Sequence, residues 1–314
     1  MGGIMNDGQK ELHAVTGAFG YSGGYIARRL LEQDKQVVTL TNRAGKGHDL
    51  EGRVDSRPLR FDRRDELIAS LRGVKVLYNT YWVRFNSKRH GFSHERAVAN
   101  TKVLFEAAKE AGVERIVHVS ITNPSIDSRW SYFRGKAELE NTLMNLGVSY
   151  AILRPAVLFG GRDILINNIA YVLRHFPVFG VFGDGQYRLQ PIHVDDLAAL
   201  AVEWGSKDKG GGDGVVDAIG PESFTYERLA RELMGIIGVK KRVMHVKPWM
   251  GFVVGWLFGK YVGDVVITRD EIGGLMDDLL HVENKPTGKI KLTEWAEEYK
   301  DELGRAYQSE LARR

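Results

Sequence analysis

The sequence predicts an α/β fold, a doubly wound parallel sheet with a smaller C-terminal substrate-binding lobe, and three observations carry this reading. From Glu11 onward, short apolar runs alternate with longer helical patterns through about 150 residues, as in βαβ units. A glycine-rich turn ends the first run and opens the first helical pattern. Beyond Leu153 the rhythm is broken by Pro155, Pro177, Pro191 and the glycine clusters at 160–161 and 210–212, which marks a second lobe.

The predicted strands, in order, are 13–16, 36–40, 74–78, 115–120, 150–153 and 215–219, each rich in Val, Ile, Leu or Tyr and ending near polar or glycine residues, with a short one at 58–61. Between them the apolar spacing at 22–33, 65–71, 93–111 and 131–145 fits helices packed on a sheet. Helical stretches at 226–237, 269–280 and 293–311 finish the chain, the last one charged and expected to lie largely exposed.

Composition excludes several classes. Of 314 residues, 43% are hydrophobic and 27% charged, so the chain is neither disordered, fibrous nor multispanning. A formal net charge of +4 is too small to imply a nucleic-acid partner. The absence of cysteine removes disulfides, thiolate metal sites and a cysteine nucleophile. Residues 1–10 are polar and lack a signal peptide's apolar stretch, so a cytoplasmic protein is expected. The longest uncharged apolar run, 249–259, falls short of the ~18 residues that a spanning helix needs.

Thr16-Gly17-Ala18-Phe19-Gly20-Tyr21-Ser22-Gly23 sits between strand and helix, where a Rossmann-type dinucleotide fingerprint belongs. Gly17 serves the tight turn, Gly20 the approach of backbone to a pyrophosphate, and Gly23 the close packing of helix on strand, with the helix N-terminus facing the anion. After the second strand the chain reads Leu40-Thr41-Asn42-Arg43, without the carboxylate that would bond a ribose 2′-hydroxyl. Arg43, with Lys46 nearby, suits a 2′-phosphate instead, so NADP(H) is preferred and NAD(H) remains open. Asp62 is a candidate for the adenine edge. On this reading residues 1–155 form the nucleotide-binding domain, its sheet completed by about 190–220, and 156–189 with 221–314 form the smaller lobe.

Tyr132 and Lys136 are four residues apart, hence on one helix face. A cation beside a phenol favours phenolate and makes proton exchange with a substrate hydroxyl feasible. Ser120, or Thr122 in its place, is the candidate to polarise the same carbonyl.

With these motifs, Gly183-Asp184-Gly185 and the stretch from Pro191 to Ala198, the chain resembles the extended and atypical short-chain dehydrogenase/reductases over nearly its whole length. Within them it looks most like the complex I accessory-subunit group and its prokaryotic relatives, on Arg154-Pro155-Ala156-Val157-Leu158-Phe159-Gly160, Asn167-Asn168 and Gly304-Arg305-Ala306-Tyr307. The resemblance implies a nicotinamide dinucleotide held at Gly17, Phe19, Gly20, Tyr21, Gly23, Asn79, Tyr81, Lys136 and Pro155. It also implies a Ser/Thr, Tyr, Lys catalytic set and a lobe that selects substrate, with His193, Asn168 and Trp82 as candidate contacts. Two departures stand out: Asn79-Thr80-Tyr81-Trp82 replaces the small residues usual there, and Ser120 lies unusually close to Tyr132 in sequence.

Other patterns have blander readings. His90 and His94, at i, i+4 spacing without an accompanying glutamate, read as a surface pair at a helix start and not as a metal site. Asp195 and Asp196 read as caps of a helix beginning near Leu197. Residues 249–267, with Trp249, Phe252, Val253, Trp256, Leu257 and Tyr261, read as lobe core, as a wall for a quinone or isoprenoid, or as a peripheral membrane contact beside Lys240, Lys241, Arg242 and Lys247. The expected function is an NAD(P)-dependent oxidoreductase that passes hydride between nicotinamide and a carbonyl or alcohol substrate of apolar character, as monomer or homodimer. A nucleotide-sugar epimerase or dehydratase and a non-catalytic NADPH-binding sensor or assembly subunit are the alternatives.

Overall fold

The computed structural model describes residues 10–42, 45–87, 91–207 and 212–313. In chain order the first half runs β1 (Leu12–Thr16), α1 (Tyr21–Glu32), β2 (Gln36–Leu40), β3 (Asp55–Arg57), α2 (Arg64–Leu71), β4 (Val76–Asn79), α3 (His94–Glu110), β5 (Arg115–Val119), α4 (Ser131–Met144) and β6 (Ser149–Pro155). The second half adds β7 (Val157–Phe159), α5 (Leu165–His175), β8 (Val178–Phe182), β9 (Arg188–Leu189), β10 (Pro191–His193), α6 (Val194–Gly205) and β11 (Gly214–Ala218). It ends with β12 (Phe224–Thr225), α7 (Tyr226–Ile236), β13 (Arg242–Val246), α8 (Pro248–Val262), α9 (Arg269–Met276), α10 (Leu292–Glu298) and a short 3₁₀ turn.

The expected doubly wound sheet is present: seven parallel strands in the order β3-β2-β1-β4-β5-β6-β11. Strand growth reverses between β1 and β4, the switch point where ligands of such sheets bind beyond the strand carboxyl ends. The central strands are buried along nearly their whole length, polar residues such as His13, Asn79 and His118 included, because both faces are covered. One face packs α1 and α6 through Ile26, Leu30, Leu197 and Ala201; the other packs α2, α3 and α4 through Leu67, Leu104, Phe105 and Leu139. A third cluster, with Phe159, Ile166, Leu173, Leu233 and Trp295, forms the core of the later segments.

Three expectations about elements are corrected. The third strand is Asp55–Arg57 instead of 58–61, because Pro58 cannot donate to the ladder that pairs Leu40 with Arg57. The final helical stretch stops at Glu298; its charged residues are exposed as expected, while Trp295 and Ala296 are buried, and the chain then folds back onto α5. The helix after His193 starts at Val194, three residues before Leu197. Among the described residues no helix is long and apolar enough to cross a membrane.

Candidate functional site

The glycine turn is built from backbone. Gly17 has φ +69, a conformation that costs other residues strain, and its carbonyl accepts from Gly20 N–H at 2.8 Å. A Cβ on Gly23 would stand 2.4 Å from the Gly17 oxygen, so only glycine lets α1 lie this close to the turn. Gly20 is the α1 N-cap and offers no side-chain cap, and the first turn carries no acid, which leaves the helix N-terminus electropositive. Nothing in the turn fills the place of a pyrophosphate, and the residues present fit one. Phe19 packs beside His48, and the Tyr21 hydroxyl donates to the Gly160 carbonyl at 2.8 Å, tying α1 to the segment after β7.

Next to this turn lies a cavity of about 370 Å³ lined by Asn42, Leu59, Phe61, Tyr81, Arg96 and Asn100, among others. Asn42 is fixed by a reciprocal pair with Leu59, its Nδ2 donating at 2.8 Å and its Oδ1 accepting at 3.2 Å. Phe61 and Tyr81 pack with centroids 4.8 Å apart, and Asn100 Nδ2 donates to the Tyr81 hydroxyl at 2.8 Å. Asn79 locks β4 to its neighbours: its Oδ1 accepts from the Thr16 hydroxyl and from Tyr81 N–H, both at 3.1 Å, while its Nδ2 lies 3.0 Å from His118 Nδ1. Asp62, the residue after Phe61, is exposed and is not part of the cavity lining. Arg43 lies outside the described residues, and so does His90. Arg96 is a cation that the sequence reading did not single out.

The Tyr132 end is built differently, from side chains engaged with one another. Lys136, 2% exposed, donates from Nζ to the Val119 carbonyl at 2.8 Å and sits 4.4 Å from the Trp82 ring centroid. Burial lowers its pKa from 10.5 to about 7, against the opposing pull of Glu140. Tyr132 packs edge-on to Trp82 and His94, at 5.4 Å from each. Burial, then Glu271 and Glu310, push its phenol well above the ordinary range, and the cation acting against them is Arg84 instead of Lys136. The expected phenolate-stabilising field of Lys136 is therefore corrected: the ammonium is turned to a carbonyl and an indole.

The two hydroxyls stand elsewhere. Ser120 donates to Glu140 Oε1 at 2.5 Å, and Glu140 also takes Arg154 in a bidentate pair. Glu140 is two turns along α4 from Tyr132, about 12 Å of helix rise, so the partner that Ser120 takes belongs to a different part of the helix from the phenol. Thr122 donates to the Leu279 carbonyl at 2.9 Å, and the Pro155 carbonyl accepts Thr122 N–H at 3.1 Å.

The candidate substrate contacts are also spoken for. Asn168 clamps the C-terminal segment, donating to the Gln308 carbonyl at 3.0 Å and accepting its N–H at 2.9 Å. His193 is buried beside Phe159, Tyr25 and Trp295, and its Nδ1 caps α6 by accepting Asp195 N–H at 3.2 Å. The capping role expected of the acids therefore belongs to His193, while Asp195 pairs with Arg29 at 2.6 Å and Asp196 accepts Lys289 and Ile290 N–H groups. Trp82 stacks on His94 at 5.6 Å, and its buried indole N–H has no acceptor among the described residues.

His94 itself, read as a surface residue, is buried, with Nδ1 2.8 Å from the Ser131 hydroxyl, which lies 2.6 Å from Asp270 Oδ2. Sequence reasoning missed this chain because Asp270 is 139 residues from Ser131. Burial lowers the His94 pKa, favouring the neutral ring.

Comparison with known proteins agrees with the fold. The chain is 26% identical over 230 residues to the NADH dehydrogenase (ubiquinone) 1 alpha subcomplex subunit 9, mitochondrial, of Arabidopsis thaliana, covering 71% of this chain and 57% of that protein's length. To the mouse protein of that name it is 27% identical over 269 residues, covering 82% and 70%. Among solved structures, an NADPH-dependent quinone oxidoreductase of Escherichia coli, complexed with NADPH, aligns with TM-score 0.74 at 22% identity over 93% of this chain and 99% of that one. A Citrobacter triphenylmethane reductase aligns with TM-score 0.74 at 18% identity and the same coverage. The cytoplasmic expectation is corrected by the curated relatives, which are mitochondrial by name. Residues 13–216, more than half of the chain, match the model of the NAD dependent epimerase/dehydratase family, and the chain belongs to that family.

Proposed function

We propose that this protein binds a nicotinamide dinucleotide as a sensor or assembly subunit and does not turn it over. The observation that supports this reading is the engagement of the buried Lys136 ammonium with the Val119 carbonyl and the Trp82 ring, partners outside the expected catalytic set. Gly17, Gly20 and Gly23 would hold the pyrophosphate, Phe61 and Tyr81 the adenosine, and Arg43 a 2′-phosphate, so NADP(H) is the preferred cofactor. A bound nicotinamide would bring a hydride donor that this chain leaves unused; the chain's own groups would bind and shield it. The relatives named as NADH dehydrogenase subunits support assembly with other proteins as the working role, with the later lobe as the partner-facing part.

The oxidoreductase reading keeps one support, the intact Tyr132–Lys136 pair in a water-poor site, and it requires Trp82 to swing away. Absorbance assays of NADPH oxidation with a panel of quinones and aldehydes, on wild type and Tyr132→Phe, separate the two. No carbonyl-dependent oxidation by either protein, with NADPH bound equally by both, is expected. Turnover by wild type that is lost in Tyr132→Phe would overturn the proposal.

A further inference from the structure

We infer that β13 and α8 form a surface that docks on an anionic lipid bilayer. This inference does not depend on the proposed role of the dinucleotide site.

The inward face of α8 is glycine. Cβ atoms on Gly251, Gly255 and Gly259 would stand 1.9 Å from Phe182, 2.7 Å from Ile267 and 2.6 Å from the Asp264 carbonyl oxygen, so these i, i+4, i+8 positions bring the helix backbone hard against the protein. Trp249 and Val253 precede Gly251 and Gly255 by two positions, about 160° round the helix. They are 64% and 45% exposed, and Met250 is 41% exposed. At Trp249, Met250 and Val253 the helix thus turns large apolar side chains outward while these glycines face the protein, the reverse of a surface helix that serves only its own core. Met244 on β13 and Val178, near its β8 partner, add exposed apolar area at 42% and 36%. Single exposed apolar residues are ordinary, but a run of them on adjoining elements marks a contact surface.

Charge identifies the occupant. Residues 233–263 contain five Lys or Arg (Lys240, Lys241, Arg242, Lys247 and Lys260) and no Asp or Glu. The acid facing β13 from a neighbouring element is Glu227, which already pairs with Arg231 and with His245. Arg269 lies over the Phe252 ring at 5.0 Å, adding a cation along α8. Protein–protein interfaces are depleted of lysine, whereas basic side chains beside an apolar face attract acidic lipids and tryptophan favours the headgroup boundary. With 15 residues, α8 is too short to span, so it would lie in the interface plane.

The test is co-sedimentation of the full chain with vesicles of phosphatidylcholine alone or with about 30% phosphatidylglycerol, at low and high salt. Wild type is expected to partition at least about tenfold more strongly onto the anionic vesicles, with the excess falling as salt rises. Trp249→Ser with Val253→Ser should reduce binding about tenfold, as should Lys240→Glu with Lys241→Glu, while circular dichroism and melting temperature stay at wild-type values. Equal binding to both vesicle types, or variants that bind like wild type, would overturn the inference. So would a self-association, seen by sedimentation velocity, that the Trp249→Ser and Val253→Ser changes abolish, since the patch would then serve a second copy of the chain.

Discussion

The two ends of the site are made of different materials. At the glycine turn the candidate anion site is made of backbone: a positive φ at Gly17 and a contact at Gly23 that excludes any Cβ leave a helix N-terminus without a side-chain cap. At the Tyr132 end, the same residue types that define a proton-transfer set are present, but the two hydroxyls and the amine set beside the phenol are each bound to a third party. Ser120 belongs to Glu140, Thr122 to the Leu279 carbonyl, and Lys136 to Val119 and Trp82. A motif built on backbone carries its own geometry, whereas one built on side chains depends on neighbours that the motif does not name.

The largest effect that sharpens this contrast is expected from Glu140→Ala. Glu140 is 2% exposed and serves both Ser120 and Arg154, so its loss leaves a guanidinium without its counter-charge; a cost of about 3 kcal/mol is expected in urea unfolding. Because Glu140 is a framework residue, dinucleotide affinity in the folded variant should hold, and a selective loss of affinity would break the comparison. Gly23→Val forces the α1 backbone off the Gly17 carbonyl, costing about 2 kcal/mol, and should weaken NADPH binding more than tenfold because the cradle itself moves. A Gly23→Val protein that binds NADPH like wild type would remove the backbone half of the contrast.

The effect that is smallest per step of the variable concerns pH. Lys136 titrates near 7 in the folded protein against 10.5 ordinarily, so between these values the unfolded chain holds more protons and stability rises with pH. Below pH 7 both states are charged and the penalty is constant. Stability should climb by up to roughly 1.4 kcal/mol per pH unit above 7 from this group, and Lys136→Met should flatten that climb. An unchanged slope in Lys136→Met would show the amine to be hydrated.

Legibility in the sequence follows the same division. The strand runs at 36–40 and 115–120 and the turn at Gly17 to Gly23 were readable because periodicity and glycine act locally. The pairing of β11 with β6, which completes the sheet, was approximated from a single apolar run. His94 was not readable, since its burial depends on Trp82, Ser131 and Asp270, drawn from three separate segments. Asn168 was read as a substrate contact because nothing local to it reveals that residues 304–308 return to bind it. The final helical stretch was overextended for the same reason: the 299–311 segment is shaped by its docking on α5 and Asp264, not by its own propensity.

The central claim is that dinucleotide binding resides in the glycine cradle and owes nothing to Lys136. Equilibrium titration of NADPH on wild type and Lys136→Met measures this directly. The same dissociation constant in both, within about twofold, is the predicted result, since the ammonium is spent on Val119 and Trp82. A loss of more than about tenfold in Lys136→Met would mean that Lys136 reaches the bound nucleotide, and would contradict the account.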